Sequence, residues 1–133
     1  MSGRPVIRVV AALVVRPDGR TLLVRKRGTA AFMNPGGKPE PGESPVEALR
    51  RELVEELDLD VAAERLNPLG SFSTDAANEP GHALVAECFR LDVATHEHRV
   101  GAEIETSAWV DPGDPGDLVL APLAVDHLLP LLR

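Results

Sequence analysis

Cysteine is almost missing from this sequence, with Cys88 alone among 133 residues. That excludes a disulfide framework and fits a reducing cytoplasm. No signal-peptide pattern is found, and no apolar run is long enough to cross a bilayer, so neither secretion nor a membrane is expected. Tyrosine is absent and aromatics make up 3%. Phe32, Phe72, Phe89 and Trp109 are therefore the only rings available to stack on a base, and most are expected in the core. Positive charge is scarce as well: 14 Lys and Arg face 21 Asp and Glu, a net charge of −7. Such a chain is no nucleic-acid scaffold, because no basic patch would neutralise phosphates along a duplex. A small polyphosphate is compatible with this balance only if cations screen its site. Repeats, low-complexity tracts and linkers are lacking too, so residues 1–133 read as one domain, large enough for a core without staples.

Val6 to Val15 is an apolar run broken only by Arg8, with apolar residues at both parities, as in a strand covered on both faces. Pro17-Asp18-Gly19 turns the chain, and Thr21 to Lys26 returns as the second strand of a hairpin. Phe32-Met33-Asn34 reads as a short strand ending at Pro35, and Gly36-Gly37 as a tight turn that lets backbone approach a ligand. Pro68 to Thr74 and Ala83 to Val93 are further strands around the turn-rich segment Asp75 to Gly81. Glu87 falls in the apolar row of Val85, Phe89 and Leu91. It is either a carboxylate facing a site or a strand-edge residue facing solvent, the second being favoured. Ile104 to Val110 is the last strand. Asp111 to Asp117 is a loop, and a helix starting at Pro122 would bury Val125, Leu128, Leu129 and Leu132, with a kink or fraying at Pro130.

The stretch from Gly36 to Leu59 carries the chemistry. Ser44 is a good helix N-cap, Pro45 suits the first helical position, and Glu47 completes a Ser-x-x-Glu capping box. At about 100° per residue, Val46, Leu49, Leu53 and Leu57 form one apolar stripe. Glu52, Glu55 and Glu56 share a second arc beside it. Like charges at helical-neighbour spacing repel by roughly 0.2–0.5 kcal/mol per pair. Two readings offset that repulsion: a solvated acidic face, or a divalent cation held by hard oxygen ligands. Glu47 also stands at i,i+4 from Arg51, a spacing suited to an ion pair. Arg25, Lys26 and Arg27 form a short basic cluster, either a solvated strand end or a phosphate clamp. His96 and His98, in the polar loop from Thr95 to Gly101, are next to one another by alternation, but two loop histidines more often hold no metal.

The order Gly37, Glu43, Arg51-Glu52-Leu53, Glu55-Glu56 and Leu59 resembles the Nudix box, here residues 37–59, the signature of hydrolases of nucleoside diphosphates linked to another group. The departure is Asp58, where the family usually has Gly; Asp tolerates a left-handed helix exit better than most residues. The resemblance implies an α/β fold, an α/β/α sandwich with a mixed sheet between the box helix and the C-terminal helix. It implies Mg²⁺, with Mn²⁺ able to substitute, held by Glu52, Glu55, Glu56, the carbonyl of Gly36 and a further carboxylate before Trp109. Glu103 is the best placed for that last role, with Glu105 and Glu97 as fallbacks. Glu52 or Glu103 would be the general base. Lys38 and Arg27 would touch phosphate, while Arg51 would orient the carboxylates through ion pairs. A homodimer is compatible with the resemblance, although the sequence is silent on it.

Substrate is narrowed by what the chain lacks. It has no tyrosine of the kind that marks some dinucleoside-polyphosphate hydrolases, and no proline at the downstream position that marks ADP-ribose pyrophosphatases. NADH-type and coenzyme-A-type signatures are missing, and the C-terminal segment has no Asn of the kind used by readers of oxidised guanine. What remains is a small MutT-like enzyme acting on a nucleotide, a nucleoside triphosphate among the candidates. The alternative is a module of the same fold that binds a nucleotide or nucleotide sugar without turnover, against which the intact carboxylate set argues. An allylic-diphosphate isomerase is weaker, because Cys88 sits mid-strand.

Overall fold

The computed structural model describes residues 4–95 and 97–133. Its spine is β1 (Val6–Val15), whose buried half, Val10 to Val15, is covered on both faces as the two-parity pattern requires. β2 (Thr21–Lys26) folds back against it through the Pro17–Gly19 turn, where Gly19 takes a φ of +86°. β3 is only Gly36–Gly37, α1 spans Pro45–Leu57, and β4 (Asn67–Asp75), β5 (Ala83–Asp92) and β6 (Ile104–Val110) follow. The strands form one mixed sheet of order β4-β5-β1-β2-β6, with β3 on β1. β5 runs parallel to β1 along its whole length, from Val6 opposite Ala83 to Val15 opposite Asp92. The remaining pairings are antiparallel.

One face of the sheet is covered by α1. Leu49, Leu53 and Leu57 are fully buried against Val10, Ala12, Val14, Leu22, Val24, Phe89 and Leu91, with Val46 at the margin. Burial of each leucine contributes roughly 1.5–3 kcal/mol, which is what holds the acidic arc of the helix in one place. The capping box forms as expected: Glu47 N–H donates to Ser44 Oγ at 3.1 Å, and Ser44 N–H to Glu47 Oε1 at 2.8 Å. That engagement corrects the expected Glu47–Arg51 pair, since Arg51 turns to other acids described below. At the far end Asp58 adopts φ +56°, ψ +36°, the left-handed exit that the family usually gives to Gly.

The opposite face is covered by the C-terminal segment, a π-helical turn at Leu123–Leu128 followed by a 3₁₀ turn at Leu129–Leu132. The expected single helix is therefore corrected. Leu123, Ala124, Leu128 and Leu129 are buried, while Val125 is 38% exposed. Buried residues recur at the spacing of i→i+5 bonding, and Pro130 then removes a donor from the next turn. Two smaller expectations also change. Phe32 and Met33 make single bridges, to Leu120 and Val24, instead of a strand. Gly36-Gly37 is not a bare turn but pairs with Ala11 and Val10.

Candidate active site

A cavity of about 580 Å³ opens between α1, the β1–β3 pair, the start of β6 and the C-terminal segment, within the range of small-molecule sites. Its polar wall carries Glu52, Glu55, Glu103, Lys26, Lys38 and Arg51; its apolar wall carries Ile7, Val9, Leu84 and Leu123. The segment from Asp75 to Glu79 forms part of its rim, and Lys38 Nζ lies 3.6 Å from Glu79 Oε1 there. None of the four rings lines it: Phe32 and Phe89 are core, Phe72 packs beneath the C-terminal segment, and Trp109 packs on the α1 side.

β3 explains why two glycines stand where they do. A Cβ on Gly36 would lie 2.0 Å from the Val10 carbonyl oxygen, and one on Gly37 would lie 2.6 Å from Glu52 Cδ. The pair lets β1 and the Glu52 carboxylate approach the same backbone from two sides. Gly36 N–H also donates to Glu56 Oε1 at 3.2 Å. Glu56 is itself buried behind this wall. Burial pushes its carboxyl up to about 8, with the Glu52 hydrogen bond and charge acting the same way and the Lys26 charge and Gly36 N–H opposing. Glu56 thus carries a proton near neutral pH in the protein alone.

Arg51 ties the acids to the loop before the helix. Its guanidinium grips Glu43 with two bonds of 2.8 and 2.9 Å, and donates to Glu52 Oε1 at 2.7 Å and to the Lys38 carbonyl at 3.2 Å. Glu55 Oε2 is 3.5 Å away. This grip holds the Glu43 carboxyl down at about 2. Bidentate Arg–carboxylate geometry of this kind fixes direction as well as charge. Glu43 and Arg51 therefore set the position of Lys38 and of the helix acids relative to one another. Among the described residues no three acidic, His or Cys side chains converge closely enough to hold an ion as they stand. Glu52 and Glu55 are turned to Arg51 and Glu56 is protonated, and each is free to re-aim by side-chain rotation. Donor type and placement fit a hard divalent cation: carboxylate oxygens from one helix face, Glu103 and the backbone of Gly36.

The other expected residues fall as follows. Glu103 lines the cavity from the turn before β6, and its carboxylate makes no hydrogen bond or ion pair within the described structure. Arg27 does not line the cavity; its guanidinium is taken by Glu105 and the Ala102 carbonyl. Glu87 is exposed, although its strand is internal to the sheet. His98 Nε2 lies 2.7 Å from Ser107 Oγ and its ring meets Trp109 edge-on, while His96 lies outside the described residues. Two residues were overlooked. Lys26, passed over for Arg27, is the cluster member that lines the cavity and acts on Glu56. Asn34 lines the cavity at 6% exposure with both Oδ1 and Nδ2 unpartnered among the described residues. A polar residue just before Pro-Gly-Gly, amid apolar neighbours, was the available signal.

Comparison with known proteins now has a geometry to meet. The family model of the NUDIX domain matches residues 5–131. The chain belongs to the Nudix family. A MutT-like protein of Streptomyces ambofaciens is 30% identical over 105 residues, 79% of this chain and 64% of that protein. An ADP-ribose pyrophosphatase of Methanocaldococcus jannaschii is 30% identical over 117 residues, 86% of this chain and 64% of its own. This chain thus spans somewhat under two thirds of those curated relatives. The crystal structure of a MutT protein from Methanosarcina mazei Go1 superposes with a TM-score of 0.77 at 20% identity, covering 99% of this chain and 96% of that one. That likeness shows the Nudix fold. The box residues thereby gain their places: Gly37 under Glu52, Glu43 on Arg51, and the glutamates along the cavity.

Proposed function

We propose that this Nudix protein hydrolyses a phosphoanhydride bond in a nucleoside diphosphate linked to another group, nucleoside triphosphates included, with Mg²⁺ or Mn²⁺ as cofactor. The observation that carries the reading is the two-sided cavity. One wall gathers Glu52, Glu55 and Glu103 with Lys26 and Lys38, and the other is apolar with the Asn34 carboxamide in it. The first wall suits a diphosphate and the second a base. An unpartnered buried carboxamide costs roughly 1–3 kcal/mol, and the donor–acceptor edge of a nucleobase is a ligand able to satisfy both its atoms.

Glu52, Glu55, Glu56, Glu103 and the Gly36 carbonyl would hold the ions. When bound, these would neutralise the diphosphate and lower the pKa of water. Lys38 and Lys26 add positive charge from the protein side. Glu52 or Glu103 accepts the proton of the attacking water. The new P–O bond forms as the anhydride P–O bond breaks, and the electron pair leaves with the departing phosphate oxygen. Arg51 keeps Glu43, Glu52 and the Lys38 loop in register and does not touch substrate. The fold of residues 1–133 as one catalytic domain, its cytoplasmic location and any homodimer belong to the same proposal.

The test is a screen of nucleoside triphosphates, ADP-ribose and nucleotide sugars with Mg²⁺, read by phosphate release after a coupling phosphatase. ADP-ribose belongs in it because of the Methanocaldococcus relative, although the marker proline is missing. Turnover that is abolished by EDTA and by Glu52→Gln supports hydrolysis. Tight binding of a nucleotide with no turnover would instead show a sensor.

A further inference from the structure

Arg27 has the wrong surroundings for a phosphate contact and the right ones for a different task. Its backbone N–H donates to the Glu103 carbonyl at 3.0 Å, its Nε to the Ala102 carbonyl at 2.7 Å, and its Nη1 to Glu105. One residue therefore holds three consecutive positions around Glu103 and the residue after it, while the Glu103 carboxylate itself stays without a partner. A lone exposed ion pair such as Arg27–Glu105 is worth little; three bonds from one residue to one short segment fix its path. The other end of that segment is fastened to α1. Arg99 N–H donates to the Leu57 carbonyl at 3.0 Å and Gly101 N–H to the Glu56 carbonyl at 2.9 Å. Gly101 has no room for a side chain there, since a Cβ would sit 2.0 Å from the Glu55 carbonyl oxygen. The carbonyls it meets belong to two of the helix acids themselves.

We propose that Arg27 and Gly101 are positioning residues: together they dock the Glu103 segment onto the last turn of α1 and hold the Glu103 carboxylate on the cavity opposite Glu52 and Glu55. The proposal rests on the reading above that Glu103 belongs to the metal and proton-transfer set. It assigns Arg27 to the support of a carboxylate instead of to substrate. Partners of this kind, one shell removed from the ligands, typically change metal affinity or activity by about 10–100-fold when lost.

The test uses the full chain and the variants Arg27→Met, Glu103→Gln, the double variant and Gly101→Ala. Mn²⁺ binding is measured by calorimetry, alone and with α,β-methylene-ATP, and kcat and KM are measured on the best triphosphate of the screen. Expected are weaker Mn²⁺ binding and a kcat lower by about 10–100-fold in Arg27→Met, with KM unchanged. The double variant should be no worse than Glu103→Gln, because both act through one carboxylate. Gly101→Ala should show the same pattern. Arg27 is 61% exposed on its side chain, so Arg27→Met should fold; Arg27→Lys, which keeps the charge without the fork, serves if it does not, and should be similarly impaired. A raised KM with normal kcat in Arg27→Met would overturn the proposal in favour of a phosphate contact, as would additive losses in the double variant. An impaired Glu103→Gln beside a normal Arg27→Met removes the clamp alone. Normal Mn²⁺ binding and turnover in Glu103→Gln removes the Glu103 reading, and the clamp with it.

Discussion

Glu56→Gln separates the electrostatics of the buried carboxyl from its chemistry. In the metal-free protein the Glu56 carboxyl is raised from 4.5 to about 8, chiefly by burial. Between those values the folded chain keeps a proton that the unfolded chain has released. Stability from this group is therefore fully present below about pH 4.5 and is lost as pH rises through 8. At about 1.4 kcal/mol per tenfold change in proton affinity, the loss is on the order of a few kcal/mol. Glutamine has the same shape, accepts the Gly36 N–H through its amide oxygen, and carries no proton to lose. The variant should match wild type near pH 4.5 and exceed it increasingly up to pH 8, by ~10 °C in Tm for a chain of this size. Thermal melts in EDTA from pH 4.5 to 9 measure this. In Mg²⁺ at pH 8 the wild type should gain stability and the variant much less, while turnover in the variant falls by orders of magnitude. Parallel melting profiles for the two proteins across that window would refute the argument.

Gly36→Ala should lose stability outright, because its Cβ would meet rigid β1 backbone; urea titration should show a drop of about 2–4 kcal/mol. Gly37→Ala meets only the Glu52 carboxylate, and should melt closer to wild type while kcat falls, a contrast that equal Tm losses would contradict. Asp58→Gly should raise stability by roughly 0.5–1 kcal/mol, since it relieves a left-handed non-Gly residue and removes a negative charge from a helix C-terminus; chemical denaturation decides it. Asn34→Leu should leave Tm unchanged or higher, because it removes two unpartnered buried atoms, and should reduce discrimination among bases in the substrate screen.

The helix and the longer strands were legible because local rules and tertiary packing agree there. Ser44 and Glu47 mark the start of α1 and its leucine stripe marks the buried face, and the two-parity run of β1 announces cover on both sides. Legibility fails where an interaction crosses the chain. Nothing near Arg27 in sequence tells that its partners lie beyond residue 101. Glu47 has the right spacing for Arg51, yet the cap claims it and Glu43 claims the arginine. Val125 fits a helical stripe that exists only if the last turns are α-helical, and i→i+5 winding moves the buried face off it. Asn34 was hidden because an unpaired amide is visible only once its surroundings are known.

The parallel match of β1 with β5 bears on how the molecule is made. A ribosome delivers β1 and the acidic helix well before β5 exists, so one long apolar border of the nascent sheet stays bare through much of synthesis. Bare borders of that kind recruit foreign strands. Assembly waits on a distant stretch of chain, which slows it. Overproduction of this protein should therefore be limited by the interval before Ala83 emerges, and slower or cooler expression should raise the soluble yield.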